Sequence, residues 1–294
     1  MTNRSLSESV ENILRDIPDR DFDKGCLLQD LGKITREQLA LHPEAEVSPE
    51  LCQKVLAAAN TRALGYPLQY ILGTWEFYGL PFRVGEGVLI PRADTEALVD
   101  TALVKLREMY LHEKRPLHII DLCSGSGCVA ISIAKEMGDR ARLYAVEMSG
   151  EAFPYLLENV RLNNVNVRLF RGDVMNGRML DNFRDPVDDE RFIPIDCIVC
   201  NPPYLTDEEM SELQTEVSYE PETALYGGTD GLKFYRVIAC MWNYLLSPGG
   251  LMIFETGDKQ AAIVGRILEE NGFGGIFTAN DGAGIVRVVG GSKK

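Results

Sequence analysis

The chain has 294 residues, 45% of them hydrophobic and 25% charged, proportions of a globular protein long enough for one large domain and a smaller one. A formal net charge of −14 excludes a surface built overall to grip a nucleic-acid backbone, while leaving room for a local basic groove. Seven cysteines, an odd number set mostly in apolar stretches, fit reduced buried thiols better than a disulfide framework.

Residues 1–20 mix charges with scattered apolar side chains and show no secretory signal. The longest uncharged run, Val237 to Phe254, is interrupted by Ser247-Pro248-Gly249-Gly250 and reads as a helix, a turn and a strand. The expectation is a cytoplasmic protein with no membrane partner.

Residues 1–73 read as a small helical domain. Leu6, Val10, Ile13, Leu14 and Ile17 recur at helical spacing. Thr35 and Gln38 fit a capping box, and Ser48-Pro49 an N-cap with proline in the first helical position; Gly65 and Pro67 end that helix. Residues 74–92 read as a β-hairpin linker, aromatic-rich from Trp75 to Val84. Asp94 is the expected N-cap of a helix carrying Leu98, Ala102, Leu103 and Leu106. Arg92, just before it, is a candidate anion contact, the ordinary alternative being a solvated loop arginine.

Residues 93–294 form the larger domain. Beyond residue 116 apolar strands alternate with helical segments, the pattern of an α/β, doubly wound, mostly parallel sheet. Strands are predicted near 117–122, 142–147, 166–170, 195–200, 250–255, 275–279 and 284–290. Helices are predicted near 127–137, 150–163, 231–246 and 258–271. Residues 178–194, rich in Asp and Arg, read as a solvated loop. Residues 205–230 make an insertion long enough to suggest a function.

The candidate site residues cluster at predicted strand ends. Asp121-Leu122-Cys123-Ser124-Gly125-Ser126-Gly127 joins the first strand to its helix, where glycines permit close backbone approach and a helix N-terminus adds partial positive charge. Glu147 ends the second strand and suits two ribose hydroxyls; Asp173 follows the third and suits an adenine amine, with Val174 over the ring. A glycine-rich turn alone also occurs in nicotinamide-dependent enzymes. The fourth strand separates the readings, because it ends on Asn201-Pro202-Pro203-Tyr204 with no histidine after it to serve hydride transfer. Two prolines fix φ and remove two N–H donors, leaving an acceptor-rich corner. Such a corner suits a planar group with two N–H bonds, Tyr204 covering its face. Cys197-x-x-Cys200 resembles half a zinc site, but positions i and i+3 of a strand point to opposite faces, and no metal is expected.

With these motifs in place, the sequence resembles the release-factor glutamine methyltransferases, or HemK family, over most of its length. The resemblance is carried by residues 73–82, by Leu89-Ile90-Pro91-Arg92-Ala93-Asp94-Thr95-Glu96, by the glycine loop and by Asn201 to Tyr204. Tyr219-Glu220-Pro221, Gly228-Thr229-Asp230-Gly231-Leu232, Glu255-Thr256-Gly257 and Gln260 extend it. It implies a class I methyltransferase fold with seven strands, the last antiparallel, and a helical N-terminal domain that docks substrate. It also implies methyl transfer from S-adenosyl-L-methionine to the glutamine nitrogen of the Gly-Gly-Gln motif in class-1 peptide release factors. Asp121, Cys123 to Gly127, Glu147, Asp173, Val174 and Asn201 would then hold the cofactor, and Asn201 to Tyr204 with Arg92 the substrate. Asn201, Pro202 and Tyr204 would carry the catalysis.

Three positions depart from the family pattern. Cys123 stands where glycine is commoner, so the loop is expected to avoid positive φ there; Glu147 replaces a frequent aspartate; Val286 replaces a usual acid. Competing readings are a glutamine methyltransferase of a ribosomal protein and an adenine-N6 nucleic-acid methyltransferase, the latter disfavoured by the acidic charge. A cofactor-binding scaffold without turnover is the non-enzymatic alternative.

Overall fold

A computed structural model describes residues 1–188 and 190–294; position 189, within the segment expected to be a loop, lies outside the described residues. The chain divides into two compact units. One comprises Met1–Thr74 with Gln214–Tyr219, the other Trp75–Leu213 with Glu220–Lys294.

The first unit is helical, with helices at Asn3–Ile13, Arg20–Cys26, Arg36–Leu41, Pro49–Ala63 and Leu68–Leu72. Leu6, Val10 and Leu14 turn one stripe of the first helix into its core, beside Leu27, Val55 and Ala59. The capping box forms as its spacing predicts: Thr35 Oγ1 accepts from the Gln38 N–H at 3.2 Å, and Gln38 Oε1 accepts from the Thr35 N–H at 2.9 Å. Ser48 Oγ caps the Leu51 N–H at 3.3 Å. Buried Arg62 donates to Asp23 Oδ2 at 2.6 Å and to Glu216 Oε1 at 2.5 Å. That second bond incorporates residues 214–219, part of the sequence-level insertion, into this unit.

The second unit begins with the hairpin strands β1 (Thr74–Phe77, its first residue belonging to the helical unit) and β2 (Leu80–Arg83). Its main sheet comprises β3 (Leu117–Leu122), β4 (Ala141–Glu147), β5 (Val167–Arg171), β6 (Ile195–Cys200), β7 (Leu246–Glu255), β8 (Phe273–Asn280) and β9 (Val286–Lys293). Their order is β5-β4-β3-β6-β7-β9-β8; β9 runs antiparallel to both neighbours. The fold is therefore the doubly wound, seven-stranded sheet predicted, with its last strand reversed.

Strands near the centre are apolar on both faces because helices cover both. Ile120, Leu122, Ile198, Cys200, Met252 and Phe254 pack on one side with Trp242, Tyr235 and Leu268. Leu117, Ile119, Cys197, Val199 and Ile253 pack on the other with Leu98, Leu106 and Ile131, joined by Phe77 and Phe82 of the hairpin. Cys197 and Cys200 thus belong to opposite cores, as the period-two argument requires. At the start of β3, Arg115 donates to both Asp196 oxygens at 2.8 and 2.7 Å, and the His118 N–H donates at 2.8 Å. These bonds bind β3 to β6 in the register Ile119↔Cys197.

Two local expectations need correction. Residues 178–194 are not wholly a solvated loop: Gly177–Phe183 forms a 3-10 helix with Met179 and Phe183 buried, because both side chains pack into the core, Phe183 against Tyr144 and Trp242. Asp94 is not a helix N-cap. Ala93–Thr95 forms a 3-10 turn ahead of the helix Glu96–Glu113, and Asp94 Oδ2 pairs with Arg287 at 3.2 Å instead.

Candidate active site

The strand order reverses between β3 and β6, the place where an open α/β sheet leaves a crevice at the carboxyl ends of its strands. A cleft of about 920 Å³, counted to its open mouth, lies there. Asp121, Cys123, Ser124, Gly125 and Ser126 of the glycine loop line it with Glu147, Asp173, Val174 and Asn201. Met148, Ala152, Pro203 and Phe234 supply apolar wall.

The loop after β3 reaches the cleft by repeated left-handed backbone. Cys123 has φ 58°, Gly125 53° and Gly127 84°. The expectation that Cys123 avoids positive φ is therefore overturned: the tight turn is kept, and a non-glycine residue occupies it at a cost of about 1–2 kcal/mol. Asp121 is buried behind the turn, where its Oδ2 accepts from the Ala130 N–H at 3.2 Å and so caps the helix Cys128–Met137. Burial raises its pKa to about 7 despite hydrogen bonds from Ser124 and Ala130.

Glu147 is buried at the end of β4. Its Oε2 accepts from the Gly125 N–H and its Oε1 from the Ser149 N–H, each at 2.7 Å. Desolvation pushes its pKa up, and these backbone donors oppose the rise. Each carboxylate oxygen keeps a second lone pair for a ligand hydroxyl. Asp173 Oδ1 accepts from the Met175 N–H at 2.8 Å, and the Val174 carbonyl accepts from Trp242 Nε1 at 2.9 Å, which pins both residues at the cleft edge. Asn159, absent from the sequence reading, ties the hairpin to the glycine loop. It exchanges bonds with the Arg83 backbone at 2.6 and 3.0 Å and donates to the Ser126 carbonyl at 2.9 Å.

Asn201 follows β6 directly and lines the same cleft. Its Nδ2 donates to Thr95 Oγ1 at 3.3 Å. Among the described residues no group donates to Asn201 Oδ1 or to the Pro202 carbonyl, so both acceptors of the corner are uncommitted. Pro203 joins the cleft wall, whereas Pro202 and Tyr204 are not among the residues that line it. Tyr204 lies within electrostatic reach of Glu255, Arg287, Arg92 and Asp94, and burial pushes its hydroxyl up to about 12.

The corner is held from behind. Gln260 Nε2 donates to the Tyr204 carbonyl at 2.9 Å. A Cβ on Gly227 would lie 2.6 Å from Tyr204 Cα, and one on Gly231 would lie 2.3 Å from the Tyr204 carbonyl oxygen. Glycine is required at both positions for the insertion to close against the Asn-Pro-Pro-Tyr backbone. Arg92 is not a free anion contact: its guanidinium pairs with buried Glu220, which also accepts from the Ile90 N–H at 2.9 Å. Thr95, Glu220 and Asn159 could not be picked out by local pattern, since their partners lie 33 to 130 residues away.

Known proteins share the sequence of both parts of the chain. Residues 6–73 match the PrmC N-terminal domain, and residues 99–220 match the methyltransferase small domain. The release factor glutamine methyltransferase of Geobacter sulfurreducens is 39% identical over 262 residues, 88% of this chain and 84% of its own length. That of Clostridium acetobutylicum is 36% identical over 281 residues, 95% of this chain and 94% of its own. Among solved structures, the hMettl16 catalytic domain in complex with MAT2A 3′UTR hairpin 6 superposes with a TM-score of 0.55. It is 17% identical, covers 81% of this chain and 82% of its own, and is a likeness of fold alone. The chain belongs to the release factor glutamine methyltransferase family.

Proposed function

We propose that this protein transfers the methyl group of S-adenosylmethionine to the side-chain amide nitrogen, N5, of the glutamine in the Gly-Gly-Gln motif of class-1 peptide release factors, in the cytoplasm. The observation that carries the reading is the placement of Asn201, its acceptors uncommitted, on the wall of the cleft lined by the glycine loop, Glu147 and Val174.

The cleft suits the cofactor on its own evidence. Glu147 offers buried lone pairs to ribose hydroxyls, Val174 and Phe234 offer apolar surface to an adenine ring, and Asp173 stands at the edge as an acceptor. Cys123 to Ser126 would bring backbone close to the ligand, while Gly127, which does not line the cleft, packs against Leu156 and Ile131. When bound, S-adenosylmethionine supplies an electrophilic methyl on a sulfonium.

The protein's own residues then act on the glutamine. An amide nitrogen is a poor nucleophile because its lone pair is delocalised into the carbonyl. Asn201 Oδ1 and the Pro202 carbonyl accept its two N–H bonds, which raises electron density on nitrogen and orients its remaining lone pair. The stiff Asn-Pro-Pro-Tyr corner would hold the planar group in one orientation beside the cofactor. The acceptors are set in advance, so charge developing on nitrogen is met without reorganisation. The methylated nitrogen then loses a proton to solvent without a strong base. The helical N-terminal unit is assigned the docking of the release factor.

Incubation with S-adenosylmethionine and a full-length release factor tests the reading. Peptide mass spectrometry is expected to find one added methyl on the Gly-Gly-Gln glutamine. An unmodified glutamine after incubation with protein shown to bind the cofactor would overturn the assignment.

A further inference from the structure

We propose that Gln260 is a positioning residue, whose side-chain amide pins the Tyr204 carbonyl and so fixes the acceptors of Asn201 and Pro202 for the substrate nitrogen. The inference rests on the glutamine methyltransferase reading above and names a residue on which its corner depends.

A corner built on two prolines cannot hold itself. Pro202 and Pro203 have no N–H, so neither secures the corner by donating a bond. Their rings fix φ at both positions and keep Asn201 and Pro202 extended, which makes residues 201–203 a stiff arm. The near end of the arm leaves β6 at Asn201. It can pivot there, carrying the Pro202 carbonyl with it, unless its far end is tied. The tie has to be a donor, because the arm offers carbonyls.

Gln260 supplies it. Its Nε2 donates to the Tyr204 carbonyl at 2.9 Å, with the Gly231 carbonyl also facing it at 3.5 Å. A glutamine amide has two orientations that differ by exchange of nitrogen and oxygen, but both ends of this one meet groups whose roles cannot change. The Gly257 N–H, a donor only, meets Oε1 at 3.1 Å, and the Tyr204 carbonyl, an acceptor only, meets Nε2. Reversal would set donor against donor and acceptor against acceptor. The backbone of Gln260 is held as well. Its N–H donates to the Gly257 carbonyl at 3.0 Å, and its carbonyl accepts from Val264 at 2.9 Å in the helix Ala261–Glu270. Gly257 also stands beside the Tyr204 ring, since a Cβ on it would lie 3.4 Å from Tyr204 Cδ2. The turn that follows β7 therefore secures the far end of the arm. Neither Gln260 nor Gly257 lines the cleft, so the restraint acts on the substrate corner and not on the cofactor.

The test measures kcat and KM for the release factor, and the dissociation constant for S-adenosylmethionine, in the full-length wild type, Gln260→Glu and Gln260→Met. Rates are taken per folded molecule at about pH 8.5, where an introduced carboxyl is ionised. Glutamate keeps the shape and the oxygen that meets the Gly257 N–H, and puts an acceptor where the donor to Tyr204 was. Methionine keeps the length and removes both. Both variants are expected to lower kcat about tenfold or more, with KM within about threefold and cofactor affinity within about twofold of wild type. If Gln260→Met does not fold, Gln260→Glu carries the test. Wild-type kcat in either variant, or a loss of cofactor affinity as large as the loss of kcat, would overturn the proposal. A wild type that binds cofactor but leaves the release factor unmethylated would instead refute the site reading itself, and this inference with it.

Discussion

The two ends of the main sheet bury the same kind of residue and treat it differently. Where β3 and β6 begin, the Asp196 carboxylate receives two guanidinium bonds from Arg115 and a backbone N–H from His118. Where the strands finish, Asp121, Glu147 and Glu255 are also buried, but no cation hydrogen-bonds to any of them among the described residues. Desolvation raises all three pKa values. Glu255 goes further and leaves one oxygen without any partner. A buried acid with a matched cation fastens strands together. A row of buried acids without a hydrogen-bonded cation, around a cleft, marks the working end.

The sharpest way to break this comparison is at the cleft corner. Asn201→Ala is expected to lower release-factor methylation about 100- to 1000-fold, the cost of removing a preorganised polar group from a transition state. Cofactor affinity, read by calorimetry, should change little by comparison. Activity near that of wild type would remove Asn201 from the chemistry.

At the opposite end the effect should fall on stability. Asp196→Ala leaves Arg115 and the His118 N–H without their acceptor and is expected to cost about 2–3 kcal/mol in denaturant unfolding, discounted because Arg115 is partly exposed. The residual folded protein should retain its kcat. A variant as stable as wild type would mean the β3–β6 register is held by packing alone.

The smallest expected effect sharpens the contrast through pH. Glu255 titrates at about 7 when folded against 4.5 as its ordinary value. Between those limits the folded state holds a proton that the unfolded state has released, so stability is highest below 4.5 and falls as pH rises through 7. Asp121, raised from 3.8 to about 7, acts in the same direction. Glu255→Gln removes one of these two contributions. Its stability relative to wild type is expected to improve by about 1–2 kcal/mol between pH 5 and pH 8, measured by chemical unfolding at each pH. A difference that stays constant with pH would show that Glu255 carries no raised pKa.

The sheet was legible in the sequence because burial on both faces writes itself as continuous apolar runs. The strands at 117–122 and 195–200 begin and end where those runs do. The cleft residues were legible for the same reason, since a doubly wound sheet sends every strand end to one edge. What sequence could not disclose were pairings across the chain. Arg92 looks available for an anion until Glu220, 128 residues on, is seen to hold it. Asp94 reads as a helix cap until Arg287 draws it away. Cys123 misled in another way: the turn needs left-handed backbone, and a thiol-bearing residue adopts it where glycine was expected.

Arg62 meets Asp23 across 39 residues and Glu216 across 154. On a chain made at about 5–20 residues per second, those contacts become available at different times. Asp23 is already out when Arg62 emerges, but Glu216 follows only after about 8–30 s, when most of the second unit has been translated. The N-terminal helices thus leave the ribosome with the guanidinium half satisfied. The smaller unit, first in the chain, is the one whose completion waits on the larger.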